Sequence, residues 1–106
     1  MAPMSMPRWL PLVAALTLVT GCVDRPDSEA TGAEIYLDVC ATCHAADLSG
    51  SVGPAIGPES NAAQQPDDFI TAAIRDGRGR MPSFSQTLTS EQIERVVGYL
   101  RQVQGS

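Results

Sequence analysis

Cys40-Ala41-Thr42-Cys43-His44 reads C-x-x-C-H, two cysteines separated by two residues with a histidine directly behind the second. That spacing is the attachment signal for a c-type haem. On a helix Cys40 and Cys43 stand three apart and His44 four from Cys40, so all three side chains share one face and can meet one flat macrocycle. The two thiols would bond to the edge of the ring while the imidazole coordinates iron from the proximal side.

Other uses of the stretch fit less of the chain. A thiol redox pair belongs near a βαβ pattern, and the sequence holds no run of strand character to supply one. A structural zinc site needs four ligands, whereas the chain has three cysteines and one histidine, with one cysteine better explained elsewhere. A disulfide between Cys40 and Cys43 is awkward within a helix and leaves His44 without a role.

The third cysteine has a different setting. The chain has 106 residues, room for one domain, and residues 1–21 carry Arg8, an apolar run over 9–19 and a small, polar end, which is a signal-peptide layout. The run is shorter than the about 20 apolar residues that span a bilayer. Leu18-Val19-Thr20-Gly21-Cys22 resembles the lipobox of bacterial lipoproteins, where cleavage falls before the cysteine and that cysteine bears the lipid. The resemblance implies a cleaved signal peptide at 1–21, a lipidated N-terminus and polar tether at 22–30 and a folded domain at 31–106. Acyl chains on Cys22 would then hold the protein to the extracytoplasmic face of a membrane. An ordinary secretory signal, or an uncleaved anchor, is the alternative.

Cleavage after residue 21 would leave 85 residues with Tyr36, Phe69, Phe84 and Tyr99 as the only aromatics. A core that small is marginal unless a large apolar group completes it, which a covalently held haem would do. The same 85 residues carry six arginines, no lysine and twelve acidic side chains, a balance unsuited to nucleic acid as a partner.

Helix signals follow the polar segment. Thr31 with Glu34 makes a capping box, and Ile35, Tyr36, Val39, Cys40 and Cys43 recur at helical spacing, so a first helix is expected over about 32–43. Residues 45–65, with Gly50, Gly53, Pro54, Gly57 and Pro58, read as a long loop that wraps an edge of the haem. A proximal imidazole normally donates its second N–H to a backbone carbonyl, and Pro54 is the expected acceptor, with a plain turn former as the alternative. Pro66 at a first-turn position, followed by Asp67 and Asp68, opens a second helix that carries Phe69, Ile70, Ala73 and Ile74 on one face and stops at Gly77. Thr89 and Gln92 form another capping box, with Leu88 and Ile93 as a hydrophobic staple. The last helix then presents Ile93, Val96, Val97, Leu100 and Val103, and Gly98 is expected to admit close approach of another helix.

Opposite His44 the choice of a second axial ligand is narrow. There is no other histidine and no lysine, and Met1, Met4 and Met6 leave with the signal, so Met81 in the loop 76–85 is the only thioether remaining. Ligation by Met81, with core filling as the alternative, raises the reduction potential and saturates the iron, which suits electron transfer rather than oxygen chemistry. Arg75, Arg78 and Arg80 crowd its approach, either simply solvated, or paired with haem propionates, or forming a docking ring for an acidic partner.

These residues together resemble the class I cytochromes c. Gly32 and Tyr36 stand eight and four before Cys40, Gly53-Pro54 follows the motif, Met81-Pro82 matches the distal loop, and Val97-Gly98-Tyr99-Leu100 matches the last helix. The resemblance implies an all-α fold, three main helices around one haem c held through Cys40 and Cys43 and ligated by His44 and Met81. It implies an electron carrier rather than an enzyme, with redox proteins such as a dehydrogenase, an oxidase or another cytochrome as partners. The lack of lysine departs from the mitochondrial branch and its lysine docking ring, and the chain looks more like a bacterial carrier. A cytochrome subunit of a larger complex is a close variant. A haem sensor or peroxidase-like protein with a detachable Met81, and a structural lipoprotein without cofactor, are the alternatives of a different kind.

Overall fold

The computed structural model describes residues 3, 4 and 25–105, so the rest of the signal segment and Cys22 lie outside the described residues. The first helix, α1 (Gly32–Ile35), starts where the capping box places it. The Thr31 hydroxyl accepts from the Glu34 amide at 3.1 Å and the Glu34 carboxylate accepts from the Thr31 amide at 3.2 Å. It runs on without a break through a π-helical turn (Tyr36–Cys40), closed by the Ala41 amide donating to the Tyr36 carbonyl, into α2 (Ala41–His44).

That wide turn was not readable from the periodicity, and it matters for the site. Residues eight apart on an α-helix drift by about 80° around the axis. An i→i+5 turn takes up part of that drift, and Tyr36, Cys40 and His44 all come to line the same cavity.

A long connection with one 3₁₀ turn (Ala62–Gln64) leads to α3 (Asp67–Asp76). Pro66 is the N-cap residue of α3 rather than a member of its first turn, its φ of −69° and ψ of 160° being extended. The helix ends at Gly77, where φ is +82°, a value that favours glycine. The last helix, α4 (Ser90–Gln104), is capped by Thr89 and Gln92 in the expected reciprocal pattern and stops at Gly105 in the left-handed region. Among the described residues there is no strand, only an isolated antiparallel bridge between Arg78 and Met81, and no helix is long and apolar enough to cross a membrane.

The core forms where α1 and the π turn cross α4, with α3 closing the other side. Ile35, Tyr36, Ile70, Ile74, Val96 and Leu100 are all buried in one cluster. Leu88 and Ile93 flank the N-cap of α4 and belong to the same cluster. Gly32 is the crossing point, since a Cβ there would stand 2.1 Å from the Arg95 carbonyl oxygen. Gly98 does not play the part expected of it. It is exposed, and nothing lies within 4 Å of where its Cβ would be. The reason is rotational: Gly98 is two residues from Val96 and two from Leu100, both buried, which puts it on the far side of the helix.

The segment before α1 is also placed. Residues 26–30, read from sequence as part of a polar tether, lie along the first turns of α4 and are hydrogen-bonded to it.

Candidate functional site

A helix ends with carbonyls that have no partner within it. At the end of the C-x-x-C-H segment each of three successive carbonyls finds one. The Cys43 carbonyl accepts from the Gly53 amide at 2.7 Å and the His44 carbonyl from the Gly50 amide at 2.9 Å. The Ala45 carbonyl accepts from the Tyr36 hydroxyl at 2.6 Å. The loop therefore folds back over the motif and fixes it. Ala45 itself has φ +67° and ψ 152°, a conformation that costs a residue with a Cβ of order 1–3 kcal/mol and persists only where the surroundings impose it.

The folded-back loop also orients the imidazole. His44 Nδ1 lies 2.8 Å from the Pro54 carbonyl oxygen. A carbonyl can only accept, so Nδ1 carries a proton, and it is Nε2 that is left to coordinate a metal when the ring is neutral. Gly53 lets the backbone come this close, because a Cβ there would stand 2.9 Å from His44 Cε1. His44 is buried and lines the cavity.

Cys40 is half-buried and lines the cavity, whereas Cys43 is exposed outside its lining; both thiols are free. Burial, with the neighbouring Cys43 adding to it, pushes the Cys40 thiol up to about 11. A disulfide-exchange cysteine is favoured by the opposite shift, so the surroundings of Cys40 do not favour the redox-pair reading of C-x-x-C. Among the described residues no three His, Cys, Asp or Glu side chains are grouped to hold a metal ion.

Met81, 37 residues beyond His44 along the chain, lines the same cavity. Its amide donates to the Arg78 carbonyl at 2.9 Å and its carbonyl accepts from the Arg78 amide at 3.0 Å, a tight turn completed by Gly79 with φ +57°. Gly77 permits that turn, because a Cβ there would sit 2.7 Å from the Met81 carbonyl oxygen. Of the three arginines nearby, Arg75 pairs with exposed Asp76 at 2.9 Å, Arg78 lies over the Phe69 ring at 4.6 Å, and Arg80 is exposed.

The cavity, about 130 Å³, is walled by the Phe69, Ile70, Ala73 and Ile74 face of α3 and by Val96 and Leu100 of α4. A larger groove of about 320 Å³ lies elsewhere, between residues 25–28 and the start of α4, but no thiol, imidazole or thioether opens on it. The chemistry belongs to the smaller space. Its donor set, one imidazole nitrogen, one thioether sulfur and a thiol at the wall, set in apolar surroundings, suits a haem.

The sequence marks Tyr36 by its helical spacing and its place four before Cys40, and assigns no role to its hydroxyl. Its hydroxyl meets a residue nine positions on, across the π turn, and no local signal announces such a bond. Burial, then the nearby Cys40, push its phenol up to about 12, so the donor stays protonated.

An all-α shell with an apolar cavity lined both by a C-x-x-C-H helix and by a methionine loop defines a haem-carrying electron-transfer protein. Comparison with known proteins agrees. Residues 27–100 match the family model described as "Cytochrome C oxidase, cbb3-type, subunit III". The chain is 30% identical over 74 residues to a cytochrome c6 of Bryopsis maxima, covering 65% of this chain and 84% of the relative. A cytochrome c6 of Rippkaea orientalis is 36% identical over 78 residues, covering 67% of each chain. Among solved structures, the c-type cytochrome NirC superposes with a TM-score of 0.61 at 28% identity, covering 73% of this chain and 94% of that one. The chain belongs to the class I c-type cytochromes, carriers of single electrons on a covalently bound haem c rather than enzymes.

Proposed function

We propose that this cytochrome is a membrane-tethered carrier on the extracytoplasmic side, its haem joined to Cys40 and Cys43 and its iron held between His44 Nε2 and the Met81 sulfur. The haem supplies the one-electron couple. The residues supply the rest: Pro54 accepts the Nδ1 proton and fixes the imidazole, Gly53 makes room for that contact, and the apolar walls exclude water. The observation that carries the reading is that His44, Cys40 and Met81 line one apolar cavity although Met81 is 37 residues from the histidine.

Tethering is proposed at Cys22, after removal of residues 1–21, with 22–30 leading into the domain. It rests on the lipobox-like run Leu18 to Cys22, which leaves Cys22 a role that the haem does not need. Redox proteins are the expected partners, whether a dehydrogenase, an oxidase or another cytochrome. The family model carries the name of an oxidase subunit, which supports a second reading as a subunit of a larger complex; co-purification with larger chains decides between them.

A redox titration of the matured protein followed by visible spectroscopy tests the haem assignment. One reversible one-electron couple, with a sulfur-to-iron charge-transfer band in the oxidised form that Met81→Ala removes, is expected. Ready binding of carbon monoxide by the reduced wild type would overturn ligation by Met81, and a protein with no haem spectrum would overturn the whole.

A further inference from the structure

Two side chains of α4 hold four residues of the N-terminal segment, Pro26, Asp27, Ser28 and Ala30, by their backbone carbonyls. Gln92 Nε2 donates to the Pro26 carbonyl at 3.4 Å and the Asp27 carbonyl at 3.3 Å. The Arg95 guanidinium donates to the Ser28 carbonyl at 3.1 Å and to the Ala30 carbonyl. Gln92 is 4% exposed, and its oxygen also accepts from the Thr89 amide, so one amide group both caps α4 and grips the segment. Ala30 is buried in the core and its amide donates to the Asp27 carbonyl at 2.9 Å. From Pro26 onward the chain is therefore part of the folded body.

We propose that this strap is a fixed mount, which leaves residues 23–25 as the whole leash between the lipid-bearing Cys22 and the domain and holds the N-terminal end of α4 against the bilayer. The proposal deepens the tethered-carrier reading and rests on acylation of Cys22. Four residue steps from Cys22 to Pro26 span at most about 14 Å. The 15 residues of α4 make a rod of about 22 Å, longer than the leash.

The two ends of that rod carry different things. Arg25 lines the groove at its start together with Gln86 and Thr87, so these residues are nearest the anchor. At its far end Gln104 Nε2 donates to the Ile56 carbonyl at 2.9 Å and Arg101 Nε to Asp67 Oδ1 at 2.7 Å. The mount turns this far end, and with it the Ile56 side of the haem cavity, toward the aqueous phase. The anchored end carries both signs, Asp27, Glu29 and Glu91 beside Arg25 and Arg95, so acyl chains and a short leash, not attraction to anionic headgroups, set the orientation. A domain mounted this way does not swing on a long arm; its redox partners come to the membrane surface.

The test uses the full acylated holoprotein, reduced, in phosphatidylcholine vesicles whose headgroups carry chelated nickel. A nitroxide is placed at Gln86→Cys or at Gln102→Cys, both exposed positions near opposite ends of α4. Relaxation by the nickel falls steeply with distance; Gln102 lies about 18 Å along the rod from its first residue, Ser90, and Gln86 precedes that residue, so relaxation is expected to be at least about tenfold stronger at position 86. Six Gly/Ser residues inserted between Val23 and Asp24 should flatten that difference without touching the strap. Equal relaxation at the two sites, or a difference that survives the insertion, overturns the mount while leaving acylation standing. The mass of the N-terminal peptide reads acylation separately, and a bare Cys22 overturns both.

Discussion

Replacing Tyr36 by phenylalanine removes one oxygen atom and should change the stability of the protein in opposite senses at neutral and at high pH. At pH 7 the loss is that of a buried donor. The ring, packed 5.5 Å from that of Tyr99, stays in place, but the Ala45 carbonyl loses the hydroxyl that accompanies its unusual φ of +67°. Leaving a carbonyl without its partner costs about 1–3 kcal/mol. The variant should therefore be less stable by that amount across the neutral range.

At high pH the wild type carries a liability that the variant lacks. The phenol is pushed from 10.0 up to about 12, first by burial and then by Cys40, Tyr99 and Asp47. With haem joined to Cys40 as proposed, that thiol becomes a thioether and its charge is gone, but burial, the largest cause, remains. A group whose folded pKa lies above its unfolded one contributes stability that is complete below the unfolded value and lost as pH climbs through the folded one. For Tyr36 the window is pH 10 to 12, and two pKa units correspond to about 2–3 kcal/mol. Wild type minus variant should thus shrink from about 1–3 kcal/mol at pH 7 to near zero or below it by pH 12. Urea unfolding followed by far-ultraviolet circular dichroism, run on both proteins at each pH, measures the difference, in which the titration of Tyr99 cancels. An offset that stays constant from pH 8 to pH 12 would refute both the burial of the phenol and its bond to Ala45.

Three further substitutions probe the backbone and the site. Gly32→Ala places a methyl 2.1 Å from the Arg95 carbonyl and should cost at least about 3 kcal/mol, measured by urea unfolding, because two helices must part. Gly98→Ala, with open space around it on an exposed helix face, should gain about 0.5–1 kcal/mol in the same assay. Gly53→Ala drives a methyl to 2.9 Å from His44 Cε1, and should cost about 1–3 kcal/mol while shifting the reduction potential, since the imidazole must turn away from the Pro54 carbonyl. An unchanged potential would separate the histidine from that contact.

The parts of the fold that were legible in the sequence are those whose causes lie within one helical turn. The two capping boxes join residues three apart, and Pro66 with Gly77 brackets α3 within its own ends. Met81 could be singled out because leaving out the signal segment removed every other methionine. What escaped has causes far away along the chain. Which glycine of the crossing meets a backbone depends on how α1 and α4 are rotated, and that is settled by packing 60 or more residues apart, so Gly98 was favoured where Gly32 makes the contact. The stacking of Arg78 on Phe69 is equally a product of tertiary placement.

The π turn is the instructive case, because it hides inside a segment whose helical character was plain. An apolar pattern of Ile35, Tyr36, Val39, Cys40 and Cys43 is satisfied by either kind of turn, since both keep these residues near one face. The difference shows only when Tyr36 must reach the residue after His44 and line the cavity beside it. A regular helix would carry the tyrosine about 80° out of line with the histidine, and the widened turn reduces that offset. The local irregularity and the unusual Ala45 backbone are thus two ends of one arrangement, joined by the Tyr36 hydroxyl, that holds the C-x-x-C-H segment in place between them.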